Sequence, residues 1–120
     1  MKKILGIVFA ILFVCNQAYA YWLNDYDTPI NVCASHILVN DETLAKKLQL
    51  EIKSYEDFEQ LAKIYSECPS GARGGYLGCF GRKQMVKEFE KAAFDGNIGE
   101  VIGPVKTQFG YHLIWVTRKY

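Results

Sequence analysis

Few side chains in this sequence can do chemistry. They are two histidines, His36 and His112, and the cysteines Cys33, Cys68 and Cys79, with a fourth, Cys15, inside an apolar leader. Cys68 opens the densest stretch of the chain, "CPSGARGGYLGCFGRKQM" (68–85), with five glycines, two cysteines and three basic residues in eighteen positions. Phosphate binding is one use for such a loop, but G-A-R-G-G-Y-L-G lacks the G-x-G of a dinucleotide loop and the G-K-[ST] of a P-loop. The loop also runs toward a strand, so no helix dipole would face an anion. Zinc takes four ligands, usually from closely spaced Cys or His pairs; here ten residues separate Cys68 from Cys79, and the histidines lie toward opposite ends of the chain. Dithiol redox chemistry wants C-x-x-C near a helix start, whereas Cys68 is followed by Pro69 and Ser70 with no second cysteine in reach. Two readings survive the spacing. Cys68 could act as a nucleophile with His36 or His112 as its base, or the glycines could simply give the chain a sharp, positive-φ route from a helix to a strand.

The elements that must position these residues begin after the leader. Lys2 and Lys3, the twelve-residue apolar run "ILGIVFAILFVC" (4–15) and the small residues of "AYA" (18–20) form the three-part pattern of a secretory signal peptide. The run is shorter than the roughly twenty residues a membrane span takes. Residues 1–20 are therefore set aside, residues 21–31 read as a flexible lead-in, and residues 32–120 form one domain. Without Lys2 and Lys3 the domain and lead-in carry twelve basic against thirteen acidic residues, a net charge of −1. That balance offers no basic surface for nucleic acid and no charge block for a binding tail. Three cysteines in an exported chain leave at least one thiol free or paired between molecules, so a disulfide framework is not what holds the fold together. Whether Cys33 and Cys79 pair stays open.

Val32 to Val39 reads as a buried strand, rich in β-branched residues. Asp41 caps a first helix with Leu44, Ala45, Leu48 and Ile52 on one face. Ser54 and Asp57 resemble a capping box that opens a second helix, with Phe58, Leu61, Ala62 and Tyr65 as its core stripe. After the glycine loop come a strand near Tyr76–Phe80, a helix over Met85–Phe94, a turn at "GNIGE", a strand at "VIGPVKT", a tight turn at "QFG" and a last strand, "YHLIWVTRKY". Strands and helices mix without a βαβα rhythm, which predicts an α+β domain around a small antiparallel sheet.

Four of these pieces in this order, "SHILV", "CPSGARGGYLGCF", "QMVKEFEKAAF" and "GPVKTQFGYHLIWV", resemble the parvulin family of peptidyl-prolyl isomerases over Ala34 to Lys119. The resemblance implies a βα3βαβ2 fold, a four-stranded antiparallel sheet surrounded by helices. It implies catalysis of X-Pro cis/trans exchange with no cofactor and no metal. The apolar slot for the proline ring is carried by Leu77, Met85 and Phe89, with Phe109 at its rim; on spacing alone Met85 and Phe89 would read as core. The polar surround of the rotating carbonyl is His36, Cys68, Thr107 and His112, supported from behind by Ser66 and Gln108. X-Pro peptides and folding polypeptides are then the partners, met by a monomer outside the cytoplasm, in the periplasm if the cell has two membranes. A non-catalytic peptide-holding module and a Cys68-dependent enzyme are the competing readings.

The sequence departs from the family pattern in three places. Tyr76 stands where the loop usually has an acid. Lys83 precedes "QM" where glycine is common. The segment after the first strand, Asn40-Asp41-Glu42-Thr43, has two acids where the phosphate-reading branch has Lys and Arg. Those acids would repel a phosphate, so no phospho-specificity is expected.

Overall fold

A computed structural model of the chain describes residues 29–120; the signal peptide expected at 1–20 and nearly all of the lead-in lie outside them. Strand β1 (Asn31–Val39) occupies the centre of the sheet, because both of its faces are apolar enough to be covered: seven of its nine residues are buried. Helix α1 (Glu42–Glu51) starts where the Asp41 carboxylate accepts the Thr43 N–H. Helix α2 (Tyr55–Tyr65) starts at Ser54, whose hydroxyl accepts from Asp57 N–H. The reciprocal bond is displaced by one residue from a capping box, since the Asp57 carboxylate accepts from Lys53 N–H.

A short 3-10 helix, η1 (Pro69–Arg73), then leads to the edge strand β2 (Tyr76–Gly81). Helix α3 (Lys87–Asp95), β3 (Val101–Thr107) and β4 (Gly110–Lys119) complete the chain. With η1 as the third helical element, the order is the βα3βαβ2 expected from the resemblance. The four strands lie in the order β2-β1-β4-β3, all antiparallel.

Strand alternation divides the core into two. Ile37, Val39 and Leu113 pack with Ala45, Leu48, Phe58 and Ala62 under α1 and α2. Val32, Ala34, Ile114 and Val116 pack with Phe80, Phe89, Ala93 and Phe94 under α3. A register shift between Ala34 and Ser35 leaves Leu77 of β2 without a partner residue, and this bulge sends Leu77 to the α3 face. Cys33 and Cys79 stand opposite one another in the β1–β2 ladder and are joined by a disulfide, while Cys68 is free.

The helix expected over Met85–Phe94 begins only at Lys87. Val86 is its extended N-cap residue, and upstream Lys83 takes a left-handed conformation at φ 68°. The family pattern has glycine at that position, where positive φ costs nothing. The Glu90 carboxylate accepts from the Lys83 N–H and folds the segment back against α3. Met85 is thereby presented from the bend that precedes α3.

Candidate active site

β2 stops at Tyr76, and residues 66–75 take over the vacated edge of β1. Leu38 N–H donates to Ser66 Oγ at 3.1 Å, Glu67 N–H donates to Leu38 O at 2.8 Å, and His36 N–H donates to Gly75 O at 2.9 Å. The last contact requires glycine: a Cβ on Gly75 would stand 2.3 Å from His36 O, and its φ is +87°. The glycine loop therefore seats Cys68 and Ser70 beside His36, and it does so by backbone fit.

His36 and His112 occupy positions on the α3 face that alternation would otherwise give to apolar residues. Their rings stack with centroids 5.2 Å apart, and the Phe89 ring meets both edge to face, at 5.7 Å from His36 and 5.2 Å from His112. A buried relay crosses the sheet. His36 Nε2 lies 3.1 Å from Ser70 Oγ, the two Nδ1 atoms lie 3.0 Å apart, and His112 Nε2 lies 2.7 Å from Thr107 Oγ1. Phe109 N–H donates to Thr107 Oγ1 at 3.1 Å, and the hydroxyl keeps its own proton and a second lone pair for His112. Run one way, Thr107 gives its proton to His112 Nε2, His112 Nδ1–H donates to His36 Nδ1, and His36 Nε2–H donates to Ser70; run the other way, every donor and acceptor in the chain exchanges roles. Either direction uses one proton on each imidazole and leaves no buried side-chain polar atom unpartnered among the described residues.

Both rings are neutral in this arrangement. Burial, helped by the nearby His112, lowers the His36 pKa from 6.5 to about 4. Burial lowers that of His112 as well. Neutral imidazoles suit a relay that orients the floor of a cavity without placing a charge there.

The cavity above them has a volume of about 520 Å³. Its lining includes seven of the residues named from the sequence: His36, Cys68, Leu77, Met85, Phe89 and His112, with Phe109 59% exposed. Thr107 lies below the floor, bonded to His112, and Ser66 lies behind Cys68, accepting from the Cys68 N–H at 3.4 Å. Gln108 is the exception. It sits exposed in the two-residue turn between β3 and β4 and does not line the cavity, whereas Phe109, the other residue of that turn, does.

Five further lining residues had not been singled out as site residues: Leu38, Glu67, Pro69, Gln84 and Val86. Leu38 lies two residues after His36 and so shares its face of β1, which the strand period could have shown. Ser70, which ends the relay, sits inside the quoted "CPSG" motif. Gln84 and Val86 flank Met85 and enter the wall only because α3 starts late. No cluster of three or more metal-ligating side chains occurs among the described residues.

Comparison with known proteins agrees with this geometry. The PPIC-type PPIASE (rotamase) domain family matches residues 38–118. The foldase protein PrsA of Geobacillus kaustophilus is 55% identical over 87 residues, covering 72% of this chain and 31% of that protein. PrsA of Bacillus subtilis is 49% identical over 87 residues. The chain thus spans about a third of the length of these relatives. Among solved structures, the peptidylprolyl isomerase PrsA of Bacillus cereus superposes with a TM-score of 0.72 at 46% identity, covering 80% of this chain and 38% of that one. Pin from the archaeon Cenarcheaum symbiosum gives 0.67 at 45% identity, covering 75% of this chain and 94% of that one.

Proposed function

Because the chain belongs to the PPIC-type peptidyl-prolyl isomerase (parvulin) family, we propose that its cavity binds the ring of an X-Pro segment and speeds rotation about the preceding amide. The observation that carries this reading is the cavity itself, apolar at Leu77, Met85 and Phe89 over a floor of neutral, interbonded histidines. The uncatalysed barrier is about 18–20 kcal/mol, because rotation breaks amide resonance. Lowering it by roughly 4–8 kcal/mol gives about three to six orders of magnitude in rate. The planar amide owes its stability to charge separation that water solvates, and a dry wall removes that solvation; the twisted amide loses less. Met85 and Phe89 hold the ring while the carbonyl swings past Cys68 and the histidines. The relay from Ser70 to Thr107 keeps that surround in one orientation, and Ser66 and Gly75 hold the loop that supplies it.

No bond to Cys68 is needed, since the reaction makes and breaks none. The substrates are exported or folding polypeptides, consistent with the foldase relatives and the secretory leader read in the sequence. The chain acts as a monomer and does not require a phosphate before proline, because Asp41 and Glu42 stand where a phosphate would be read. Among the described residues no helix is long and apolar enough to cross a membrane.

Exchange NMR on a panel of X-Pro peptides, run with the wild type, Cys68→Asp and Cys68→Ser, tests the reading. Acceleration by the wild type and by at least one variant is the expected result. Loss of all activity in both folded variants would make Cys68 a nucleophile and overturn the non-covalent mechanism.

A further inference from the structure

Apart from the two buried histidines, Glu67 is the one acidic or basic residue among those that line the cavity. Its backbone is fixed, since its N–H is bonded to Leu38 O at 2.8 Å, and neighbouring Ser66 holds the Leu38 N–H. Glu67 is exposed and lines the cavity next to Cys68 in sequence. The nearby acids after β1 are already engaged: the Asp41 carboxylate caps α1, and Glu42 pairs with Lys46 at 3.1 Å. The other ion pair among the described residues joins Lys91 and Asp95, so Glu67 has no ion-pair partner among them. The opposite wall, Gln84, Met85 and Val86, contributes no charge to the lining.

We propose that Glu67 is a specificity-determining residue that favours substrates with Lys or Arg adjacent to the proline and disfavours those with an acidic or phosphorylated residue there. In its catalytic form the proposal rests on the isomerase reading. Successive Cα atoms are about 3.8 Å apart, so with the proline ring seated, the neighbouring side chain must leave through the mouth. A long basic side chain there can reach the Glu67 carboxylate, while an acid meets repulsion. Glu67 is exposed, so the gain is that of a surface pair, about three- to fivefold for Lys over Ala, with a similar penalty for Glu.

The test compares wild type, Glu67→Gln and Glu67→Lys on peptides carrying Lys, Ala, Glu or phosphoserine on either side of the proline. Isomerisation is measured by exchange NMR, and binding is measured in parallel from the shift of the Met85 methyl signal. The wild type should prefer Lys over Glu by about tenfold on at least one side of the proline, less so near 1 M salt, where screening shortens to about 3 Å. Glu67→Gln should abolish the preference, and Glu67→Lys should reverse it. A wild type that ranks the peptides by charge in neither assay overturns the proposal, as does an unchanged ranking in the folded Glu67→Gln variant. If no peptide is isomerised, the isomerase reading fails, and the binding ranking alone decides for or against Glu67.

Discussion

The same two central strands build both faces of the sheet, yet one face is sealed and the other opens. Under α1 and α2, the inward residues of β1 and β4 are Ile37, Val39 and Leu113, and Phe58, Leu48 and Ala62 close over them. Under α3 the row begins in the same way, with Val32, Ala34, Ile114 and Val116, and then changes at His36 and His112. Two helices of ten and eleven residues cover the first face, whereas a single nine-residue helix covers the second. The uncovered part of the second face is the cavity. A site here results from withholding a helix and replacing two core residues with imidazoles that bond to one another.

Truncating an aromatic on each face separates stability from activity. Phe58 is fully buried under α2, and Phe89 is 3% exposed under α3 while also forming cavity wall. Phe58→Ala and Phe89→Ala should each lower stability by about 3–5 kcal/mol, read by urea denaturation. Activity per folded molecule should survive in the first and be lost in the second. Equal loss of activity in both would remove the distinction between the faces.

The disulfide offers the next contrast. Cys33–Cys79 ties the edge strand that carries Leu77 to β1, across a sequence separation of 46. Closing a loop of that length contributes about 4 kcal/mol in the chain-entropy account. The Cys33→Ser/Cys79→Ser double variant should lose about that much. If its unfolding midpoint matches wild type, the loop-closure account fails for this bridge.

A smaller effect is confined to the open face. His36 has a folded pKa of about 4, below the unfolded 6.5, so the unfolded chain binds more protons between those values. Stability therefore rises with pH through this window and is lost as pH falls, by about 3 kcal/mol at pH 4. His112 adds to the loss in the same direction. Thermal unfolding from pH 7 to 4 checks this against His36→Asn, which should flatten the slope. A variant slope as steep as wild type would place the effect elsewhere.

Strand period and helix stripes made the sealed face legible: Leu44 to Ile52 and Phe58 to Ala62 fall where their spacing puts them, while Tyr65, expected to end the second stripe, is exposed at the end of α2. The open face was legible only through motif order. His36 alone reads as a core histidine, and its pairing with His112 is a product of β1–β4 adjacency that no local pattern encodes. Ser70 was hidden because it reaches His36 through the close approach of Gly75 to β1. The late start of α3 was hidden because it depends on Lys83 adopting a positive φ and on the Glu90 side chain folding back. The Cys33–Cys79 bridge follows from the β1–β2 register, which composition does not contain. Gln108 was misplaced because adjacency to Thr107 in sequence says nothing about which way a turn residue points.

Met85→Ala gives the most direct test of the claim that the α3 face holds the proline site. Met85 is partly buried and packs on the edge of the core, so its truncation costs stability far less than Phe58→Ala does. Exchange NMR on one X-Pro peptide should show Met85→Ala slowed about tenfold or more relative to wild type, and Phe58→Ala unchanged when compared at equal concentrations of folded protein. Full activity in Met85→Ala, or its loss in folded Phe58→Ala, would contradict the account.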